Sequence, residues 1–278
     1  MQLPGGAGLM RDYYKEIGDI LGSGGAAYSI IPIGDPLDEA ADKTTVTTRG
    51  AGAGNGLVFT YSEARSAFDN ALRYKGIRKV PIQQVNGTDE EADSPDAAYW
   101  SRVSAVFSVG AWVNMVDATG SVILAKYDSP ADREWQFAIG GSSRLTLAVY
   151  DESAVDPAFL SSDDDINFPQ GVWVFAVGTY NGSADATGIN LYRDGALIAS
   201  TDTDSANFIA LEDLTSTVQL AFRDLTPENL FDGSIAGGPL GPFYTQRELS
   251  ASDVWRLFQI GRSGLLLPRK GLLLPRRV

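Results

Sequence analysis

The sequence contains neither cysteine nor histidine among its 278 residues. Without cysteine, the chain can form no disulfide and offers no thiolate as a nucleophile or a metal ligand. Without histidine, it lacks the commonest general base and the commonest metal ligand in proteins. Ser–His catalysis, Cys–His catalysis and zinc sites are therefore excluded.

Long apolar runs and an excess of basic residues are also missing. No window approaches the roughly twenty apolar residues that a membrane-spanning helix needs. The net charge of −13 argues against general nucleic-acid binding across the surface. The N-terminus has no basic flank followed by an apolar run, so no secretory signal is expected. We therefore expect neither a membrane nor a specific nucleic acid as a partner.

Short strands separated by turns dominate the pattern from residue 80 onward. Alternation with a period of two places Phe107, Val109, Ala111 and Val113 on one face of a strand. The 30 glycines and the 44% hydrophobic content fit a globular protein with a core and many tight turns. The pattern predicts an all-β fold, an antiparallel β-sandwich. Further predicted strands are Ser121–Tyr127, Glu134–Ile139, Arg144–Tyr150, Val172–Tyr180, Gly188–Arg193, Ala196–Thr201, Thr217–Phe222 and Gly233–Thr245.

Two local signals have a definite physical basis. Asp194-Gly195 lies between alternating runs and predicts a two-residue hairpin turn, because both central positions of that turn need positive φ. The segment Leu249–Val254 has the residues of a capping box and a hydrophobic staple, which begin a helix. Gly261 is expected to end that helix.

The N-terminal segment, residues 1–79, is predicted to be an arm and a lead-in to the sandwich. Apolar side chains at helical spacing between Gly8 and Gly22 predict a short amphipathic helix, Tyr28–Ile33 predicts a strand, and Ser62–Tyr74 predicts a second short helix. A helix this short is marginal in water and needs a partner surface. That surface is either the sandwich of the same chain or a neighbouring subunit. In the second case, the contact would be made by Met10, Tyr13, Tyr14 and Ile17.

The C-terminal segment, residues 263–278, repeats itself. Gly264–Lys270 reads Gly-Leu-Leu-Leu-Pro-Arg-Lys, and Gly271–Arg277 reads Gly-Leu-Leu-Leu-Pro-Arg-Arg. Each proline forbids a continuous helix, and each leucine run suits an extended strand or pockets on another surface. The segment is too short for a core of its own, so we expect it to lie on another chain. The residues expected at that interface are Leu265, Leu266, Leu267, Arg269, Leu272, Leu273, Leu274, Arg276 and Arg277.

Several motifs follow the order found in laminin G-like domains of the concanavalin A-like superfamily. The matching segments are Val85–Asp89, Ala111–Val113, Ile123–Asp128, Trp173–Gly182, Leu191–Gly195, Phe231–Ile235 and Leu249–Val254. The resemblance implies that residues 80–262 form a concanavalin A-like jelly roll, preceded by a short helical arm and followed by an extended tail. This sandwich hosts lectins, adhesion modules, glycosidases and viral proteins, so the fold does not fix the function.

One acidic segment is a candidate for a pair of catalytic carboxylates. Glycosidases on this sandwich use paired carboxylates on one strand, and retaining chemistry needs them about 5 Å apart and rigidly held. The nearest match, Glu91–Asp96, ends in an aspartate and contains Pro95, which a central strand does not accommodate. We therefore interpret Glu91–Asp96 as an acidic surface turn and predict that the chain is not an enzyme.

Two further features leave ligand binding open. The run Asp163, Asp164 and Asp165 offers the oxygen ligands that calcium prefers, and many laminin G-like domains bind calcium at one rim. The alternative for this run is a solvated loop, and no other cofactor is expected. Trp135 is the best candidate for an exposed aromatic side chain that stacks on a sugar, and its alternative is a place in the core.

The basic, leucine-rich tail directly after the closing helix resembles laminin G-like proteins encoded by tailed bacteriophages. This resemblance implies a non-enzymatic virion structural protein, associated with the capsid as a decoration or minor capsid protein and made in the host cytoplasm. Its expected partners are other virion proteins, foremost the major capsid protein, and further copies of itself. The alternative is a lectin-like carbohydrate-binding module on a phage tail or fibre, and a glycosidase comes third.

Overall fold

The computed structural model describes residues 6–34, 45–48, 58–61, 73–75, 80–88, 92–100, 106–154, 158–223 and 229–265. The helices there are α1 (Gly6–Leu21) and α2 (Ala251–Leu265). The strands are β1 (Tyr28–Ile30), β2 (Thr45–Thr47), β3 (Val58–Tyr61), β4 (Arg73–Lys75), β5 (Val80–Asn86), β6 (Ala92–Ser94), β7 (Phe107–Asp117), β8 (Ser121–Ser129), β9 (Asp132–Ile139), β10 (Leu145–Asp151), β11 (Ala158–Asp164), β12 (Val174–Tyr180), β13 (Ile189–Arg193), β14 (Ala196–Leu197), β15 (Ser200–Asp204), β16 (Val218–Leu220), β17 (Asp232–Ala236) and β18 (Phe243–Thr245).

The strands form two antiparallel sheets, which confirms the predicted β-sandwich. Sheet A has the order β14-β13-β12-β7-β17-β5-β4, with β18 joined to both β7 and β1. Sheet B has the order β15-β11-β10-β9-β8-β16-β6-β3-β2. Neighbouring strands in each sheet are often distant in sequence, so the core forms only when the whole sandwich closes.

Alternate side chains of the central strands fill the space between the sheets. Phe107, Val109, Ala111 and Val113 of β7 point into this space, as the period-two pattern predicts. The facing strands β9 and β10 contribute Trp135, Phe137, Ile139, Leu145, Leu147 and Val149. Each such side chain contributes roughly 1.5–3 kcal/mol on burial, which makes this layer the main source of stability.

Two predicted strands are wrong in their extent. The segment Gly233–Thr245 is two strands, β17 and β18, separated by a 3₁₀ turn at Gly238–Leu240. Pro239 and Pro242 lie in this break, and neither has an N–H to donate to a sheet ladder. The segment Ala196–Thr201 is likewise divided between β14 and β15, which lie in different sheets.

Two strands lie where acidic sequence favoured a turn or a loop. The interpretation of Glu91–Asp96 as a surface turn is wrong for Ala92–Ser94, which is β6 and pairs with β3 and β16. Glu91 itself lies outside the described residues. β11 includes Asp163 and Asp164 and pairs with β10 and β15. In β6, half-buried Asp93 lies between buried Ala92 and Ser94. In β11, Asp163 and Asp164 are adjacent at the end of the strand, and Asp164 is buried against Arg193.

The N-terminal segment contributes strands to both sheets. β1 pairs with β18, β3 with β6 and β4 with β5. The division predicted at residue 79 is therefore not a boundary of the sandwich. The strand predicted at Tyr28–Ile33 is present as Tyr28–Ile30. Most of the helix predicted at Ser62–Tyr74 lies outside the described residues, and its last two residues belong to β4 instead.

α1 packs on sheet A of its own chain. Tyr13 and Ile17 are buried in a cluster that joins α1, α2 and the strands beneath them, and Tyr14 packs partly buried against it. Burial within the same chain contradicts a contact of Tyr13 and Ile17 with a neighbouring subunit, because the outer face of sheet A offers an apolar surface next to the helix. For Tyr14, that contact stays a prediction. The side chain of Met10 lies outside the described residues. No described helix is both long and apolar enough to cross a membrane.

The hairpin turn and the capping box are both confirmed. Asp194 and Gly195 have φ values of 54° and 81°, as the predicted turn requires. The N–H of Asp253 donates to Ser250 Oγ over 3.2 Å, and the N–H of Ser250 donates to Asp253 Oδ2 over 3.3 Å. These reciprocal bonds fix the start of α2 above sheet A.

α2 continues through Gly261 to Leu265, so the predicted end of the helix is wrong. A Cβ at Gly261 would lie 2.1 Å from Trp112 Nε1. The glycine is therefore explained by the close approach of the helix to this indole, and not by a change of backbone direction. Leu265 in the last turn is fully buried.

Candidate functional site on the outer face of sheet B

The two sheets differ in what covers their outer faces. α1 and α2 lie on sheet A and bury an apolar cluster that includes Trp112, Phe175 and Phe258. Trp112 stacks between the other two rings, with centroid distances of 5.1 Å and 5.6 Å. Over sheet B, the described residues place no helix. In the described part of the chain, the outer face of sheet B is therefore the sheet face that no helix covers.

An aromatic row crosses the outer face of sheet B. The ring of Tyr127 on β8 meets Tyr150 on β10 edge to face, with centroids 5.8 Å apart. Tyr150 is followed by Phe159 on β11 at 6.4 Å, and these two residues are directly opposite in the strand register. The tyrosines are mostly covered, whereas Phe159 is 37% exposed. The row therefore ends in an aromatic ring that a ligand can reach.

Two arginines lie over this aromatic row. The guanidinium carbon of Arg133 is 4.7 Å from the Tyr150 ring centroid, and that of Arg223 is 4.9 Å from the Tyr127 ring centroid. Such contacts are favourable cation–π interactions. Burial lowers the pKa of Arg133, but the hydrogen bond and the charge of Glu152 raise it, and the net pKa is raised.

Arg223 is oriented by amide side chains. Its Nη1 donates to Gln136 Oε1 over 2.9 Å. In the amide orientation that satisfies both groups, Asn229 accepts from Arg223 Nε over 2.9 Å and from Nη2 over 3.0 Å. The guanidinium is held as a planar set of donors, a geometry suited to hydroxyl, carbonyl or carboxylate oxygens.

Small and polar side chains form two rows beside the aromatic row. The strand register places the first row on β8, β9, β10, β11 and β15 as Ala125, Gln136, Ala148, Ser161 and Thr203. It places the second row on the same strands as Val122, Ala138, Thr146, Asp163 and Thr201. Most of both rows is buried, including Ala125, Ala148, Ser161, Val122, Ala138 and Thr146. The accessible end, called the trough below, consists of Gln136 and Asp163, which are half-buried, and Thr201 and Thr203, which are exposed. It offers hydroxyl, amide and carboxylate groups.

A buried ion pair supports this face from the side. Lys126 is fully buried and forms an ion pair with Glu134, which is also fully buried. Lys126 Nζ also lies 3.0 Å from Asp96 Oδ1 and donates to the Leu214 carbonyl over 3.2 Å. Register shifts between β8 and β9 next to Lys126 mark a β-bulge there. Lys126 on β8 and Glu134 on β9 therefore connect these strands to the loops that contain Asp96 and Leu214, next to Tyr127 at the start of the aromatic row.

A carboxylate at the end of β10 fixes the loop that follows β15. Asp151 Oδ2 accepts from the N–H groups of Ile209 over 2.8 Å and Ala210 over 3.3 Å, and Oδ1 accepts from Ala154 N–H over 3.2 Å. Burial raises the pKa of Asp151, but these hydrogen bonds and one from Ser153 outweigh it, so its pKa is lowered. The bonded carboxylate holds this end of the sandwich rigid.

The structure contradicts the candidate sugar-stacking role of Trp135. This side chain is fully buried and stacks on Tyr244, with ring centroids 5.5 Å apart. Its Nε1 donates to the Trp100 carbonyl over 3.4 Å. The physical reason is alternation along β9, which turns Trp135 inward with Phe137 while Gln136 faces outward.

The three acids of the candidate calcium site are engaged separately. Asp163 accepts a hydrogen bond from Thr146, Asp164 Oδ2 lies 3.0 Å from Arg193 Nη1, and Asp165 accepts from Thr201 over 2.8 Å. Among the described residues, no group of three acidic side chains is arranged to hold a metal. The prediction that these three residues form one calcium site is therefore wrong, because strand alternation directs neighbouring carboxylates to different partners.

The interface predicted for the tail is mostly outside the described residues. That holds for Leu266, Leu267, Arg269, Leu272, Leu273, Leu274, Arg276 and Arg277. Leu265 is the exception, and its expected contact with another chain is wrong. It is buried in the cluster between the helices and sheet A of its own chain.

Sequence patterns do not reveal most of the site on sheet B. Tyr127 and Lys126 lie in the Ile123–Asp128 motif, but the motif identified a fold and assigned no role to either residue. One signal was available: Lys126 interrupts an otherwise apolar run, and a charge at such a position implies a buried partner. The positions of Arg133 and Arg223 over the two tyrosines carried no local signal, because Arg223 is distant in sequence.

Comparison with solved structures supports the sandwich. The binding domain of Paraclostridial Mosquitocidal Protein 1 aligns with a TM-score of 0.52 and 13% identity, covering 83% of this chain and 51% of that one. Domain 4 of the arabinanase AbnA from Geobacillus stearothermophilus, in complex with arabinotriose, aligns with a TM-score of 0.50 and 15% identity, covering 84% of this chain and 100% of that one. Trypanosoma rangeli sialidase in complex with sialic acid aligns with a TM-score of 0.54 and 13% identity, covering 90% of this chain and 38% of that one.

The chain thus spans about half of the mosquitocidal binding domain and all of the arabinanase domain. Comparison with curated protein sequences finds no match. The family model described as the concanavalin A-like lectin/glucanases superfamily matches residues 86–237. Because that model covers more than half of the 278 residues, and the two-sheet jelly roll agrees with it, the chain belongs to the concanavalin A-like lectin/glucanases superfamily.

Proposed function

We propose that the chain is a non-catalytic binding module that recognises carbohydrate on the outer face of sheet B. The observation that carries the proposal is the aromatic row that ends at exposed Phe159, beside a trough that contains half-buried Gln136 and exposed Thr201 and Thr203. A sugar presents an apolar face that packs on an aromatic ring and hydroxyl groups that exchange hydrogen bonds with amides, hydroxyls and guanidinium groups. The trough offers both kinds of contact side by side.

Structural neighbours support a carbohydrate ligand by analogy. One neighbour is an arabinanase domain in complex with arabinotriose, and another is a sialidase in complex with sialic acid. Neither identity exceeds 15%, so the sugar itself does not carry over. The analogy therefore extends only to the class of ligand, carbohydrate, which the chemistry of the trough also favours.

The proposal is for binding without catalysis, because the acids near this face already hold the fold together. Glu134 is buried against Lys126, and Glu152 pairs with Arg133. Asp163 accepts from Thr146. Glycoside hydrolysis needs a general acid that can reach the leaving oxygen and a second carboxylate at a fixed distance from it. A fully buried Glu134 meets neither need.

A glycan array followed by calorimetry tests the proposal. We expect Phe159→Ala to weaken glycan binding about tenfold, on the scale of losing one stacking contact. Trp255→Ala is the matched control, since Trp255 is 50% exposed on α2, on the other side of the sandwich. If Trp255→Ala abolished binding and Phe159→Ala did not, the site would lie elsewhere. If the protein bound no glycan, the proposal would be wrong.

A second candidate is a virion structural protein held to its neighbours by the C-terminal tail. The observation that favours it is charge: residues 266–278 contain four basic side chains and no acid, in a chain of net charge −13. Under this proposal the partners are the major capsid protein or further copies of the chain. Removing residues 266–278 should then abolish incorporation into purified particles. Full occupancy of the truncated protein would rule out this role for the tail.

A further inference from the structure

The strand β15 leaves one edge of sheet B open. It is the terminal strand of the sheet and pairs only with β11 in the part of the chain that the structure describes. Proteins commonly protect such edges with charged side chains, lysine above all, or with proline or a bulge, and the charges on β15 are Asp202 and Asp204. The segment 196–205 contains no lysine, arginine or proline, and the register between β15 and β11 is regular.

The hydrogen bonds at both ends of β15 show which backbone groups face outward. Ser205 N–H donates to the Phe159 carbonyl over 3.0 Å, and Asp165 N–H donates to the Ala199 carbonyl over 3.1 Å. In an antiparallel pair, alternate residues bond to the same neighbour, so Thr201 and Thr203 also face β11. The backbone N–H and C=O groups of Ser200, Asp202 and Asp204 therefore point away from the sheet.

The open edge is acidic as well as exposed. Asp202 and Asp204 are exposed on β15, and Asp165 is exposed just beyond the end of β11. An extended segment that adds to this edge must supply backbone donors and acceptors and is favoured if it is basic.

The second tail repeat, residues 271–277, has the chemistry that this edge needs. It carries Arg276 and Arg277 and no acid, and its leucine run suits an extended strand. Pro275 has no N–H, so an added strand must direct that residue away from β15. Alternation then directs the backbone of Leu272, Leu274 and Arg276 towards β15. These three residues match the three outward-facing residues of β15.

The tail of a chain is too short to reach its own open edge. α2 ends beside β5, since a Cβ on Gly264 would lie 3.5 Å from Val80 Cγ2. The edge of sheet A nearest to β15 in sequence is β14. The distance from β5 to β14 is five strand spacings, or about 24 Å. The seven Cα steps from Leu265 to Leu272 span at most about 25 Å when fully extended, and β15 lies roughly 10 Å further away in the opposite sheet. The matching edge therefore belongs to another copy.

We infer that the tail repeat at residues 271–277 of one copy adds as an edge strand to β15 of a second copy. This contact uses the backbone edge of β15, whereas the proposed carbohydrate site uses the face of sheet B, where the side chains of Thr201 and Thr203 lie. The donating and accepting surfaces differ, so repetition of the contact produces open chains or rings, the smallest of which is a dimer that exchanges both tails.

Analytical ultracentrifugation of the full chain over a range of concentrations tests this inference. We expect self-association that weakens as salt is raised and that is lost in a protein truncated after Leu265. Asp202→Pro removes an outward N–H without breaking the ladder to β11, so it should weaken association about tenfold. Asp202→Asn keeps that N–H and should weaken it less.

A matched pair in the tail tests the strand register. Leu274→Pro removes an N–H directed at β15, whereas Leu273→Pro alters one directed away from it. We expect association to be lost with Leu274→Pro and largely kept with Leu273→Pro. Both variants leave residues 6–265 unchanged, so a folding defect does not confuse the result. A full chain that stays monomeric at high concentration, or that associates equally with Asp202→Pro, would overturn the inference.

Discussion

The outer faces of the two sheets show two uses of the same strand pattern. On sheet A, the outward positions are large and apolar, and α1 and α2 cover them with their own apolar residues. On sheet B, the outward positions are small, polar or paired with arginine, and no described helix covers them. The chain thus covers the outer face of sheet A with its own helices, whereas no described helix lies on sheet B. Substitutions on the outer face of sheet A should therefore lower the free energy of unfolding, whereas Phe159→Ala on sheet B should mainly affect the proposed binding.

The largest effect is expected at the centre of the covered face. Trp112→Ala removes an indole stacked between Phe175 and Phe258 and leaves a cavity beneath α2. We expect a loss of about 4 kcal/mol in the free energy of unfolding, measured by urea denaturation. Phe159→Ala on sheet B is the matched control and should cost about 1 kcal/mol or less. Equal losses would show that the two faces do not differ in this way.

The next largest effect concerns the buried ion pair beside the open face. Lys126→Met leaves Glu134 buried without its cation and should cost about 3 kcal/mol in unfolding free energy. The double variant Lys126→Met/Glu134→Leu replaces both charges with apolar groups and should regain most of that loss. Urea denaturation of the two proteins measures the difference. A double variant less stable than the single one would show that the charges act independently.

The fold was predictable from the sequence where local rules acted on local residues. The period-two pattern around Val109 and the turn at Asp194-Gly195 depend on nearest neighbours, and both are confirmed. Gly261 shows the limit of this reasoning. Its role depends on Trp112, which is distant in sequence, so the same glycine that suggested the end of a helix allows a close contact instead.

The candidate site was largely unpredictable for the same reason. Trp135 was selected by residue type, but the register of β9 turns it into the core. The sequence pattern predicts no strand over β11, because the acidic run at its end suggests a loop. Phe159 was therefore not predicted as a site residue. The site depends on which strands are neighbours, and no single segment of the sequence encodes that order.

Two truncations sharpen the boundary between the covered face and the tail. Residues 266–278 are expected to lie on another chain, so their removal should change the melting temperature of the isolated protein by about 1 °C or less. Removing residues 264–278 also deletes Leu265, which is fully buried, and should cost about 2 kcal/mol. Calorimetry of both proteins measures the difference. Identical melting temperatures would contradict the packing of the last turn of α2.

The comparison of the two sheets extends to their carboxylates. On sheet B, the hydrogen bonds to Asp151 lower its pKa, so its ionised form stabilises the fold above the unfolded value of 3.8. On sheet A, burial and the nearby charge of Asp117 raise the pKa of Asp232. Its ionised form therefore opposes folding. That cost is absent below the unfolded value and appears as the pH rises through the folded pKa.

The smallest expected effect follows from this difference in sign. Asp232→Asn removes the like charge opposite Asp117 on the neighbouring strand, so at pH 7 the melting temperature should rise by about 1 °C. Near pH 3, where Asp232 is protonated in both states, the substitution should change little. Asp151→Asn should lower the melting temperature at pH 7, with a difference that shrinks as the pH falls. Melting curves between pH 3 and pH 7 measure both series. If the two variants shifted in the same direction at pH 7, the opposite roles assigned to these carboxylates would be wrong.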